Sequence, residues 1–301
     1  MAMPIYGQIS ANRRRTFLLF FFFALLFTAV GYGLGYYLGE PVTGIITAAF
    51  IMLILFFISY YSGTKIVTAM AGAREVKRKE EPYLYHTIEG LSIAAGLPTP
   101  KAYIIETDVP NAFAAGNRPE NSVVAVTRGL LQKLNRAELE GVIAHELSHI
   151  KNRDVLLATV AVVLAGTIVF ICDIMLRHLW YRPRMQRRSR NQEKNQMLVM
   201  VVVLLLAFIT PIFARILQFS ISRQREYLAD ASAAELTGYP LGLASALEKI
   251  AGLQPPDNSL DNRALNGLYI ISPALGAKGK VAGLFATHPP IEKRIQRLRE
   301  M

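Results

Sequence analysis

The chain has 301 residues, of which 52% are hydrophobic and 18% are charged, and its formal net charge is +11. This composition is apolar for a water-soluble chain. The single cysteine, Cys172, excludes an intrachain disulfide, so nothing in the sequence demands an oxidising compartment. The positive charge fits attachment to anionic lipid better than nucleic-acid binding, because basic motifs interleaved with aromatic residues are absent.

The hydrophobic residues are concentrated in four blocks, at 16–37, 42–61, 155–176 and 197–214. As a helix, the uncharged first block would reach about 33 Å, which is enough to cross the hydrocarbon core of a bilayer. The second block follows after the short connection Gly39-Glu40-Pro41, which predicts an antiparallel helical hairpin. A cleaved signal peptide is the alternative for the first block, since Arg13–Arg15 precede it, but the length of the block and the closeness of the second argue against it.

Basic residues beside the first two blocks predict the orientation. By the positive-inside rule, they place the segment 62–154 on the cytoplasmic side of a cell membrane. These basic residues are Arg13, Arg14, Arg15, Lys65, Arg74, Lys77, Arg78 and Lys79. The equally basic connection 177–194 conflicts with this rule, because two spanning helices would place it on the far side. Either the first hairpin dominates the topology or blocks three and four do not fully cross. We expect full crossing and a multi-pass protein.

Between the second and third blocks the sequence has the patterns of a folded domain. Residues 83–95 have helical spacing and end at Gly96. Two β-rich runs at 102–106 and 122–126 predict a small antiparallel sheet. Asn135 is placed to cap a helix over 136–154, whose apolar residues recur every three or four positions.

That helix carries a candidate metal site. His145 and His149 are four residues apart, so both imidazoles project from one face and can bind one ion, while Glu146 is placed to polarise a bound water. Zinc, at one ion per chain, suits the imidazole and carboxylate donors and lowers the pKa of its water toward 7. The alternative is a pair of solvated histidines on an amphipathic helix.

A hydrolytic zinc site needs a third protein ligand, and the segment 222–236 offers Glu226 and Asp230. We expect Glu226 to bind the ion and Asp230 to orient one histidine through its distal N–H. Spacing alone leaves Glu226 equally free to pair with Arg223 or Arg225. His149 and Glu226 both lie within a few helical turns of an apolar block, which favours a common site at one bilayer face. The metal helix is then expected to continue into the third block.

Four motifs together resemble the HtpX branch of the M48 zinc metallopeptidases, relatives of the Ste24 and Oma1 proteases. They are His145-Glu-Leu-Ser-His149 continuing to Asp154, Ser222-Arg-Gln-Arg-Glu226-Tyr-Leu-Ala-Asp230, Asn111-Ala-Phe-Ala114, and Phe285-Ala-Thr-His-Pro-Pro290. The resemblance spans nearly the whole chain. It implies a gluzincin-type site with zinc on His145, His149 and Glu226, and with Glu146 as the general base.

The resemblance also suggests roles for two further segments. It implies that Asn111, Ala112, Phe113 and Ala114 form a strand that binds substrate by edge pairing, which reads backbone rather than side chains. It implies that His288 stabilises the oxyanion of the tetrahedral intermediate. The alternative for His288 is a place beside a helix start made by Thr287, Pro289 and Pro290.

The predicted fold class is therefore mainly α with a small antiparallel β-sheet, combining four hydrophobic helices with a gluzincin-type domain. The predicted divisions are a transmembrane hairpin (1–61), a first catalytic part (62–154), a second hydrophobic hairpin (155–217) and a second catalytic part (218–301). The resemblance implies a membrane protease that acts on misfolded or damaged membrane proteins. Three alternatives remain: a CAAX-type prenyl-peptide protease, an intramembrane protease, and a scaffold with structural zinc. The sequence does not indicate an oligomeric state.

Overall fold

The computed structural model describes residues 5–164, 166–167, 223–253, 265, 268–271 and 289–301. The helices within these residues are α1 (Ile5–Leu38), α2 (Pro41–Met70), α3 (Pro82–Ala95), α4 (Arg128–Lys133), α5 (Arg136–Lys151), α6 (Asp154–Leu164), α7 (Arg223–Thr237), α8 (Pro240–Gly252) and α9 (Ile291–Arg299). The strands are β1 (Ala73–Glu75), β2 (Lys101–Ile105), β3 (Ala112–Ala115) and β4 (Val123–Thr127).

The first two apolar blocks form the helical hairpin that the sequence predicts. The chain reverses at Gly39, whose φ of 86° is a left-handed conformation that glycine adopts without strain. The helices then approach so closely that a Cβ at Gly44 would lie 2.1 Å from the carbonyl oxygen of Gly31. Within the described residues, α2 alone is long and apolar enough to cross a membrane.

The third and fourth blocks do not confirm the prediction of four membrane helices. The fourth block lies outside the described residues, and the third is described only to Leu164 and at 166–167. The described part of the third block, α6, buries most of its apolar side chains inside the protein, among them Val155, Val160 and Leu164. Its Thr159 hydroxyl accepts a hydrogen bond from the Gly116 N–H at 3.0 Å, which ties α6 to the end of β3.

The prediction that α5 continues into the third block is wrong. The helix ends at Lys151, and a new helix begins at Asp154. Between them, Arg153 adopts a left-handed φ of 57°, which an uninterrupted α-helix does not contain. The break turns the start of α6 back toward the last turn of α5, and this brings Asp154 to His149.

The sheet is mixed, so the prediction of an antiparallel sheet is also wrong. Its strand order is β1-β2-β4-β3, and the two predicted strands, β2 and β4, are parallel neighbours. The physical reason is the third strand that lies between them in sequence. The chain reverses between β2 and β3 and again between β3 and β4, so β4 runs in the same direction as β2.

Helix α5 lies at the centre of the core. It packs against α7, α8 and α3, and its residues Leu139, Val142, Ile143, Leu147 and Ile150 are buried, as their spacing predicts. Helix α3 also forms as predicted and ends at Gly96, with a left-handed φ of 68°. The histidines of α5 are therefore carried on a helix that is enclosed by other elements on several sides.

Candidate metal centre

The first half of the site is built on α5. Asn135 caps this helix by accepting a hydrogen bond from the Glu138 N–H at 3.0 Å, and the Glu138 carboxylate accepts one from the Asn135 N–H at 2.8 Å. This capping box fixes where the helical turns begin. One turn apart on that helix, His145 and His149 point their Nε2 atoms at each other across 3.2 Å. Glu146, between them in sequence, is also buried.

The second half of the site comes from α7. Glu226, which is 2% exposed, places one carboxylate oxygen 3.7 Å from His145 Nε2 and the other 3.5 Å from His149 Nε2. The ligand atoms of these three residues all lie within 4.8 Å of one another. Of the two arginines that the sequence offered as partners of Glu226, Arg223 and Arg225, the second lies 3.3 Å from Asp154.

Each histidine has an aspartate at its other ring nitrogen. Asp230 Oδ1 lies 3.0 Å from His145 Nδ1, and Asp154 Oδ2 lies 3.1 Å from His149 Nδ1. An ionised carboxylate can only accept hydrogen bonds, so both Nδ1 atoms carry the proton. With Nδ1 bonded to a carboxylate, Nε2 is the nitrogen of each ring that is left to bind a metal ion, as in metal sites with carboxylate-oriented histidines.

An arginine supports each of these aspartates. Arg294, on α9, is 1% exposed and donates to the Asp230 carboxylate from Nε at 2.9 Å and from Nη2 at 2.7 Å. Its Nη1 lies 3.4 Å from Glu226 Oε2. Arg225 plays the corresponding part at Asp154. Each imidazole is therefore held by its own histidine–aspartate–arginine chain.

The pKa shifts show how strongly these groups interact. Burial lowers the pKa of His145, but its hydrogen bonds to Asp230 and Glu226 outweigh burial and raise the pKa to about 9. Burial raises the pKa of Asp230, yet the Arg294 guanidinium and His145 hold it below its ordinary value. The site therefore favours a positive charge beside the carboxylates.

The donor set fits a metal ion. Glu146, Glu226 and Asp230 are all buried here, and among the described residues Arg294 is the buried guanidinium that faces them. A cation beside these buried carboxylates would offset part of the cost of burying their charge. The Nε2 separation also fits, because two nitrogen ligands of one tetrahedral ion lie about 3.3 Å apart.

The predicted site residues divide into three groups. His145, Glu146, His149, Glu226 and Asp230 come together as described above. Residues 111–114 lie on the outer strand of the sheet, with Asn111 directly before β3. His288 lies outside the described residues.

Sequence reasoning missed Asp154 and Arg294. Asp154 ends the motif segment, but its role depends on the break after α5. For Arg294 a weak signal exists, because it shares a helical face with Ile291, Ile295 and Leu298, where an apolar residue would be expected.

The fold and site define a metallopeptidase in which an H-E-x-x-H helix and a carboxylate from a later helix share one metal centre. The sequence pattern of Peptidase family M48 matches residues 78–301, and the chain belongs to this family. The chain is 49% identical over 299 residues to a protein named Protease HtpX homolog from Dictyoglomus turgidum, covering 98% of this chain and 94% of that one. It is 45% identical over 300 residues to the Protease HtpX homolog of Streptococcus gordonii, covering 99% and 100%.

Among solved structures, the protein is similar to one described as the crystal structure of S. mikatae Ste24p. The TM-score is 0.49 and the sequence identity 16%, and the match covers 97% of this chain and 67% of that chain. The family assignment confirms the resemblance seen in the sequence motifs and makes the protein a metalloprotease.

Proposed function

We propose that the protein is a membrane-anchored zinc endopeptidase that cleaves misfolded or damaged membrane proteins at the cytoplasmic surface of the cell membrane. The observation that carries the proposal is the convergence of His145, His149 and Glu226 on one point, with Glu146 on the same helix. Zinc matches a site of two imidazoles and one carboxylate that keeps a fourth position open for catalysis.

The surface of the hairpin supports attachment to a membrane. The α1–α2 hairpin exposes large apolar side chains over much of its length, where a soluble protein would present polar groups: Phe17, Phe21, Leu25, Val42, Ile46 and Phe50, each at least 60% exposed. Bilayer lipid would cover this surface. Because α6 begins three residues after the end of α5, the metal centre stays close to the apolar part of the chain.

Each residue of the centre has a part in hydrolysis. Asp230 and Asp154 accept hydrogen bonds from the Nδ1–H groups of His145 and His149, which leaves Nε2 of each ring to hold the ion. When bound, zinc supplies Lewis acidity that polarises a carbonyl and lowers the pKa of water toward 7. Glu146 takes the proton of the attacking water and passes it to the nitrogen of the leaving amine as the peptide bond breaks.

The test compares three variants of the full chain in membranes. Glu146→Gln should keep its zinc while hydrolysis of an unfolded membrane protein falls ~10² to 10⁴-fold, since it removes the general base. Glu226→Ala should lose both zinc and activity. Glu235→Gln, an exposed carboxylate on the same helix as Glu226, should change neither. Zinc content by atomic absorption, together with substrate cleavage, decides: unchanged cleavage in Glu146→Gln would reduce the protein to a zinc-bearing scaffold.

A further inference from the structure

The outer edge of β3 is covered by a short segment of the same chain, Leu268–Ile271. Because β3 is the last strand of the sheet, every second residue turns its backbone groups away from β4. Ala112 is one of these residues, and its carbonyl accepts a hydrogen bond from the Ile270 N–H at 3.0 Å. The segment therefore makes one of the backbone hydrogen bonds that an added strand would make.

The side chain of Asn111 holds the next residue of the segment. Its Nδ2 donates to the Ile271 carbonyl at 2.8 Å, and its Oδ1 lies 3.5 Å from the Ile271 N–H. A side-chain amide has the same donor and acceptor groups as a peptide bond. Asn111 therefore contacts the backbone of Ile271, and a different side chain at position 271 would leave these contacts in place.

The segment also reaches the metal centre. Arg294 Nη1 donates to the Ile270 carbonyl at 3.2 Å, and the same atom lies 3.4 Å from the Glu226 carboxylate. One guanidinium nitrogen thus contacts both a proposed zinc ligand and a peptide carbonyl. The peptide group of Ile270 consequently lies beside the place where a scissile bond has to lie.

The side chains of the segment add apolar contacts. Tyr269, Ile270 and Ile271 are each at most 5% exposed, and the Tyr269 ring meets Phe113 edge to face, with 5.6 Å between the ring centres. An incoming strand that removes them leaves apolar pockets. Apolar side chains of that strand would fill the pockets best.

We infer that Leu268–Ile271 occupy the substrate-binding edge of the enzyme as an internal strand. An extended apolar polypeptide binds by displacing them from Ala112, Asn111 and Arg294. This inference rests on the proposed function. It explains how a protease of broad specificity is restrained at rest, because a substrate binds only to the fraction of molecules whose edge is open, and its apparent affinity falls by that fraction.

The test measures peptide binding in full-length, zinc-loaded Glu146→Gln protein, so that the peptide is not consumed. The probe is a fluorescein-labelled decapeptide of leucine, alanine and serine. Ile270→Pro removes the N–H that bonds to Ala112 and should tighten binding about five- to tenfold, the change expected when one competing hydrogen bond is lost. The matched control, Ile270→Val, keeps that N–H and should bind within about twofold of the parent. Weaker binding by Ile270→Pro would overturn the inference.

Hydrogen exchange on the parent Glu146→Gln protein gives a second measurement that does not depend on the proline variant folding. The amides of Ile270 and Ile271 should exchange slowly in the free protein and quickly when the decapeptide saturates the site. Retained protection with peptide bound would show that the segment is a fixed wall of the cleft and would overturn the inference. Cleavage of the same peptide by protein with native Glu146 is measured separately. The proposed function can therefore be supported even if the inference about Leu268–Ile271 is overturned.

Discussion

At the scale of single residues, the least expected member of the site is Arg294. Its guanidinium joins Asp230, the Ile270 carbonyl and the edge of the Glu226 carboxylate in one buried place. The local sequence IEKRIQRLRE gives only a weak indication that Arg294, the first of its three arginines, differs from the others. The difference arises because α9 packs with that face against the metal centre.

Replacing Arg294 should show how much the metal centre depends on it. Arg294→Gln takes the guanidinium away from the buried Asp230 carboxylate and leaves it only His145 as a charged partner among the described residues, and breaking a buried ion pair costs about 3–5 kcal/mol. We expect a markedly lower melting temperature for the zinc-free variant in detergent. Arg299→Gln on the same helix is the control, because its partner Glu248 and Arg299 itself are both largely solvent-exposed, and the loss should be about 0–1 kcal/mol. Equal melting temperatures for the two variants would contradict the role given to Arg294.

At the scale of elements, the sequence predicted where α5 starts more accurately than where it ends or how the strands pair. Asn135 caps α5 as its sequence predicts, because a cap depends on residues only three positions apart. The end of α5 was predicted too late, because the break at Arg153 depends on where α6 packs. The pairing of β2 with β4 was predicted in the wrong direction, because the predicted sheet did not include the strand at 111–114, which only the family resemblance indicated.

The start of α5 should make stability depend on pH. Glu138 accepts hydrogen bonds from Lys249 and Ser245 of α8, at 2.8 and 2.7 Å, as well as from the Asn135 N–H. Burial raises the pKa of Glu138, but these bonds lower it further than burial raises it, to below the ordinary 4.5. A carboxyl group with a lowered folded-state pKa stabilises the fold above about pH 4.5, and the stabilisation is lost as the pH falls through the folded value.

Melting curves of zinc-free wild type and Glu138→Gln between pH 7 and pH 4 test this expectation. The variant should be less stable by about 1–3 kcal/mol at pH 7, where it loses hydrogen bonds to a charged group, and the difference should narrow in acid. Glu140→Gln is the matched control, since Glu140 pairs with the exposed Arg136 on the outer side of the same helix and should have a small effect. If the stability difference between wild type and Glu138→Gln widened toward pH 4, the role given to the Glu138 carboxylate would be wrong.

At the scale of the whole molecule, the apolar hairpin and the catalytic part form a continuous packed structure. Gly63 of α2 lies against α6, where an added Cβ would be 3.0 Å from the Thr159 side chain, and Asn117 bonds to the Tyr60 carbonyl at 2.8 Å. These contacts join the helix proposed to cross the membrane to the loop that follows β3. The proposed topology therefore places the turn at Gly39 and Glu40 on the side of the bilayer opposite the metal centre.

Cysteine labelling tests this topology. In a Cys172→Ser background, Glu40→Cys should react with a membrane-impermeant maleimide in intact cells. Glu300→Cys, exposed at the end of the chain beyond α9, should react only after the membrane is opened. Both positions are solvent-facing and each replaces one glutamate, so reactivity reports the side of the membrane. Labelling of Glu300→Cys in intact cells would reverse the proposed orientation.

The sequence by itself determined the features that depend on nearby residues. The four-residue spacing of His145 and His149, the cap at Asn135 and the hydropathy of the first hairpin each arise from a few neighbouring positions, and local geometry fixes their meaning. Tertiary structure alone decided the remaining contacts: Asp154 with His149, which are near in sequence but separated by the break after α5, Arg294 with Asp230, and Ile270 with Ala112. Those contacts join residues up to 158 positions apart by number, as with Ala112 and Ile270, and packing rather than local preference brings them together.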